Sequence, residues 1–174
     1  MQLVKRILLG LLVIVVVGVT ALFVTARFHD GPMEIIAGGA FSTGELQTGP
    51  EPDWSFINDV QEVQFQLLDP ERSRTTWIAQ HEGKIYIPSG YMTTWWGKIW
   101  KHWPHEALED GRILFRVGGP GGKIWERQLV RVKSGPEVLP ILTELSRKYF
   151  GGAPMTTETV DSGYTWIFEL APPR

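Results

Sequence analysis

RILFRVGGPGGKIWERQLVRV, Arg112 to Val132, decides the fold class. In its first half, Ile113, Phe115 and Val117 fall on one side, and Arg112, Leu114 and Arg116 on the other. That period of two marks a half-buried strand. Gly118 to Gly122 carry the glycines of a phosphate cradle. They join two strands and do not open a helix, so they predict a hairpin loop. Lys123 to Val132 is then the second strand of an antiparallel pair.

Working upstream, EVQFQLL (Glu62 to Leu68) alternates in the same way, with Val63, Phe65 and Leu67 on one face. DPERSR reads as a polar turn. TTWIAQ (Thr75 to Gln80) and HEGKIYIPSG make another hairpin about Glu82-Gly83, and Pro88 ends its second strand because it cannot donate to a ladder. Asp53, just before Trp54-Ser55-Phe56, suits the cap of a short helical turn. Downstream, Ser134, Pro136 and Glu137 form a capping box, and Val138, Leu139, Leu142, Leu145 and Tyr149 give the buried stripe of a helix that Gly151-Gly152 stops. YTWIFEL (Tyr164 to Leu170) is a last strand. The fold class is therefore α+β, mainly β with two helices. Five or six mostly antiparallel strands favour a small barrel, because closure removes sheet edges.

Between the hairpins stands TTWWGKIWKHWPHEALEDGR, with four of the eight tryptophans and two of the four histidines. Trp96, Ile99, Trp100 and Trp103 follow helical spacing, which predicts a helix capping the barrel mouth with one aromatic face. Tryptophans beside Lys98 and Lys101 also suit a lipid interface or a flat ligand ring. His102, His105 and Glu106 have no third ligand nearby and Pro104 between the histidines, so they read as two exposed histidines and no metal site. No Gly-x-Ser-x-Gly elbow or paired-carboxylate motif is present, so whether the protein is an enzyme stays open.

At the N-terminus, Ile7 to Ala26 is an apolar run without a charge, preceded by Lys5 and Arg6. About 20 such residues cross a hydrocarbon core. The charge bias keeps the N-terminus in the cytoplasm and places the rest outside, a single-pass arrangement in the plasma (inner) membrane with a periplasmic domain. A cleaved signal peptide competes, since Val24-Thr25-Ala26 resembles a cleavage site, but its apolar region is usually shorter. The expected division is a cytoplasmic end (1–6), an anchor (7–26), a Gly- and Pro-rich stalk and lead-in (27–53), and the barrel domain (54–174). With Lys5 and Arg6 set aside, 15 basic residues face 19 acidic ones, which gives no nucleic-acid footprint. The absence of cysteine excludes disulfides, thiol catalysis and thiolate metal sites.

The succession TTWIAQHEGKIYIPSG, a helix ending near a proline, RILFRVGGPGGKIWERQLVRV and a further helix resembles the split β-barrel flavin-binding superfamily. That group includes pyridoxamine-phosphate-oxidase-like proteins and deazaflavin-dependent nitroreductases. The resemblance covers about residues 57 to 150 and implies a flavin (FMN) or deazaflavin and redox chemistry on a small or lipophilic substrate. It also implies a homodimer, since these barrels often act as dimers. By position, Arg74, Thr75, Thr76, Ser89 and Lys98 would grip the phosphate, and Trp95 or Trp96 would flank the ring. A competing reading is a non-catalytic envelope module, its barrel filled by its own side chains, that docks lipid, peptide or a partner protein through the tryptophan patch.

Overall fold

The computed structural model describes residues 1–173. Its sheet holds eight strands: β1 (Glu45–Leu46), β2 (Val63–Leu68), β3 (Glu71–Thr76), β4 (Ala79–His81), β5 (Lys84–Ser89), β6 (Arg112–Val117), β7 (Lys123–Val132) and β8 (Trp166–Ala171). Seven follow the path β3-β2-β6-β7-β8-β5-β4, each neighbour antiparallel, and β1 lies parallel on the start of β7. The ten-residue β7 links the two halves, pairing with β6 through Gln128 and with β8 from Gln128 onward.

The two ends of this path, β3 and β4, are consecutive in the chain. Only Trp77 and Ile78 separate them. Three Cα steps of about 3.8 Å hold Thr76 and Ala79 within about 11 Å. A seven-strand path whose ends meet so closely must curl into a barrel. Among the described residues β3 and β4 share no ladder, so the barrel is split along that seam. The helix α4 (Val138–Tyr149) closes it. Lys148 Nζ donates to the carbonyls of Ile57, Val60 and Ile78 at 2.9, 2.7 and 2.8 Å, and the Tyr149 hydroxyl accepts from the Ile78 N–H and donates to Gln61 O.

Alternation along the strands separates two cores. Val63, Phe65, Leu67, Ile85, Ile87, Ile113, Phe115, Leu129, Phe168 and Leu170 point inward, joined by Trp54 and Ile57 of a 3-10 helix (Trp54–Asp59). The barrel is filled by its own side chains. On the outer face Tyr86, Ala79 and Ile167 meet Val138, Ile141, Leu142 and Leu145 of α4. Asp53 caps the 3-10 helix, accepting from the Ser55 N–H at 2.9 Å.

Several local expectations change. Most of DPERSR is strand: ERSRTT pairs with β2 throughout, from Leu68↔Glu71 to Val63↔Thr76. Its polar residues escape the apolar pattern because β3 is the end strand of the path and only Ser73 of it is fully buried. The Ser134 capping box does not form. The helix starts at Val138 after a turn in which the Val138 N–H meets Gly135 O, and Ile141 takes the buried position while Leu139 stays exposed. A short helix, α5 (Glu158–Asp161), precedes β8.

At the N-terminus α1 (Gln2–Phe28) is long and apolar enough to cross a membrane, and only Ala26 of it is buried. The following segment lies along the outer face of β2, β3 and β6. Gly38 bridges Ser73, and a Cβ at Gly39 would collide with the carbonyls of Arg27 and His29, so the end of α1 rests directly on this glycine pair. Arg116, which the alternation of β6 places on the polar side, is fully buried beneath the segment. Its guanidinium donates to Asp30 Oδ1 at 2.9 Å, Gln64 Oε1 at 2.8 Å and Thr43 O at 3.1 Å, and lies over the Phe41 ring at 3.9 Å.

This clamp carries a pH dependence. Burial raises the Asp30 pKa, but hydrogen bonds from Thr43 and Ser42 and the Arg116 contact outweigh it, leaving about 2 against an ordinary 3.8. The carboxylate therefore contributes stability that is whole above 3.8 and is lost as pH falls through about 2. The urea midpoints of the parent and Asp30→Asn should differ at neutral pH and converge at the acid end of that window. Parallel curves would show that Asp30 does not carry the clamp.

Candidate functional site

The segment between β5 and β6 forms two helices, α2 (Trp95–Trp100) and α3 (Trp103–Glu109), broken at Lys101-His102. Thr94 caps α2, its hydroxyl accepting from the Gly97 N–H at 3.0 Å. Gly97 is buried, and a Cβ there would collide with the Tyr91 carbonyl. At about 100° per residue, positions two away from Gly97 lie on the opposite side of the helix. Trp95 and Ile99 therefore face solvent, 76% and 68% exposed.

The expected single aromatic face does not exist. Trp96, Ile99 and Trp100 are exposed, and only Trp103 is core. The break at Lys101-His102 takes Trp103 off the helical register of α2. Pro104 occupies the first turn of α3, where its missing N–H costs nothing. Trp103 enters the barrel, 4.9 Å from the Phe65 ring and 5.3 Å from Phe168.

α3 thus covers part of the inner side, and its polar residues meet the strand ends. Glu106 lies 3.5 Å from Arg74 of β3, an ion pair without hydrogen-bond geometry. Arg74 Nη1 and Glu106 Oε2 are buried, with no hydrogen-bond partner among the described residues. Burial pulls the Arg74 pKa down, Glu106 opposes this, and Arg72 adds to it. Lys101 lies close enough that, after burial, the charge of Arg74 lowers its pKa too. Glu106 pairs with Arg74, and Lys101 is a second cation beside that pair.

The residues expected to form a phosphate grip separate in space. Arg74 and Thr76 share the inner face of β3, opposite Phe65 and Val63, while Thr75 points to the other side and lines a groove with Pro32 and Gln64. Ser89 is buried, its hydroxyl 3.4 Å from Met92 Sδ. Lys98 is exposed on α2. Trp96 packs on Tyr91 at 4.5 Å, and Tyr91 meets Tyr164 edge-on at 5.3 Å, while Trp95 stands apart. Sequence reading missed Lys101, whose nearness to Arg74 depends on the break between α2 and α3.

The histidines diverge. His102 Nε2 lies 2.7 Å from Ile99 O, and the His105 ring meets Trp166 edge-on at 4.8 Å. No group of three potential metal ligands occurs among the described residues. Gly118 to Gly122 form the β6–β7 loop, where Thr43 Oγ1 accepts from the Gly121 N–H at 2.8 Å. An open groove of about 890 Å³ lies elsewhere, between β7 and residues 46–53, walled by Trp125 and Phe56. The Arg74–Lys101 face and α2 lie outside it.

Path, seam and filled interior define an α+β protein built on a split antiparallel barrel, with one N-terminal apolar helix. No protein-family model and no curated protein matches the chain. Among solved structures, it is similar to the conserved hypothetical protein Rv2991 from Mycobacterium tuberculosis, with TM-score 0.47 and 17% identity over 68% of this chain and 77% of that one. It is also similar to a Listeria innocua protein provisionally named a pyridoxamine 5'-phosphate oxidase, with TM-score 0.43 and 17% identity over 69% of this chain and 90% of the other.

Proposed function

We propose that the chain is a membrane-tethered split-barrel protein that binds an anionic, ring-bearing ligand of the FMN or deazaflavin type at the face formed by β3, α2 and α3. The single observation that carries this reading is the buried Arg74 Nη1 without an acceptor, beside Lys101 and a lone carboxylate. A phosphate group would satisfy that donor and balance the second cation. Arg74 and Lys101 would hold it, with Thr76 and Lys98 as further donors, and the Trp96–Tyr91 pair would offer a plane for the ring. Thr75 and Ser89 have no part in the grip, because one faces away and the other is buried against Met92. A bound flavin would supply hydride or single-electron transfer. The chain's own residues would bind, orient and shield it. In the same reading the N-terminus is cytoplasmic and the barrel works on the outer side of the membrane that α1 crosses.

Flavin fluorescence quenching on the full-length protein tests it. FMN should bind more tightly than riboflavin, and Arg74→Ala with Lys101→Ala should weaken FMN about tenfold or more, the equivalent of one charge-assisted contact of about 1.4 kcal/mol. Riboflavin binding should be unchanged. Equal affinity of parent and double variant for FMN, or no uptake of FMN or a deazaflavin by the parent, would discard the assignment.

A further inference from the structure

We infer that α2 is a second membrane contact, its Trp95–Ile99–Trp100 surface seated in the headgroup layer of the bilayer that α1 crosses. This rests on α1 as a membrane span and is independent of the flavin reading. Trp95, Ile99 and Trp100 are 76%, 68% and 59% exposed. Large apolar side chains clustered so openly on one short helix call for a partner. The exposure of Trp95 and Ile99 is built in, since Gly97 is held against the Tyr91 turn and Thr94 caps the helix, which turns their side outward, and Trp100 stands open at the end of the helix.

The chemistry of the face selects lipid. From Gly83 to His105 the chain has no Asp or Glu, and the exposed Lys98 and His102 accompany the tryptophans. Indole rings beside a lysine, in a stretch free of carboxylates, match the interfacial belt and favour anionic headgroups. The remainder of the exported part is mildly acidic, so this cationic aromatic patch is local. The tether supplies concentration. α1 ends at Phe28, and Asp30 is already fixed to Arg116, so the barrel has almost no slack between itself and the bilayer.

The chain has no cysteine, so a single introduced one can be labelled cleanly. Full-length protein carrying Ile99→Cys, and separately Trp95→Cys, would be given a nitroxide and reconstituted into phosphatidylcholine vesicles with and without phosphatidylglycerol. Ser134→Cys, on an exposed loop, is the control. At positions 95 and 99 the label should relax more with oxygen than with a water-soluble nickel chelate, more so with phosphatidylglycerol present, and the control should show the reverse. Labels at 95 and 99 as open to nickel as the control would overturn the inference. So would spin–spin broadening between labels of two molecules, which would mean that a second copy covers the face.

Discussion

Trp103→Ala is expected to destabilise the fold by about 3–5 kcal/mol, while Trp100→Ala, three residues earlier, should change stability by less than about 0.5 kcal/mol. Trp103 is 5% exposed and lies against Phe65 and Phe168 inside the barrel. Truncation removes its buried area and leaves a cavity that strands β2 and β8 cannot collapse to fill, since both are fixed by ladders on two sides. Trp100 is 59% exposed and α2 is held by Gly97 and Thr94, so its loss touches no core contact. Urea unfolding of the two variants separates the cases directly. Equal costs would mean one continuous helix whose whole aromatic face is core, and would remove the ground for α2 as a docking surface.

Lys148→Met should cost about 3 kcal/mol, although lysine at the end of an amphipathic helix is ordinarily replaceable. Methionine keeps an apolar stem of similar length and removes only the donors. Lys148 Nζ ties together carbonyls from two separate segments: Ile57 and Val60 from the 3-10 helix and its end, and Ile78 from the β3–β4 junction at the seam. Ile57 O keeps the Val60 N–H and Ile78 O lies 3.0 Å from the Tyr149 hydroxyl, but all three lose a charged donor and Val60 O is left without a partner. A buried carbonyl without its partner costs about 1–3 kcal/mol. Tyr149→Phe acts at the same junction, because its hydroxyl serves the Ile78 N–H and Gln61 O. The two substitutions should be non-additive in a double-mutant cycle. Simple additivity, or a Lys148→Met cost under about 1 kcal/mol, would show that the seam is closed by packing alone.

The sequence by itself determined the parts whose cause is local. Alternation in Glu62 to Leu68 and Arg112 to Val132 specified strands and their inward faces, because a strand's side chains alternate whatever surrounds them. GGPGG specified a hairpin loop, Asp53 a cap, and the apolar run of α1 a helix of membrane-crossing length. Tertiary structure decided the rest. ERSRTT became a strand only because β2 pairs with it, and polar Arg116 became the most enclosed charge only because residues 30–43 fold over it. Trp96, Ile99, Trp100 and Trp103 have perfect helical spacing, yet a break at Lys101-His102 and the contact of Gly97 with Tyr91 sent one tryptophan into the barrel and the others to the surface. Arg74 meets Glu106, and Lys101 comes near Arg74, for the same reason. Periodicity reports which side of an element a residue occupies. Which side is then buried depends on the neighbours, and these are set by contacts between segments far apart in the chain.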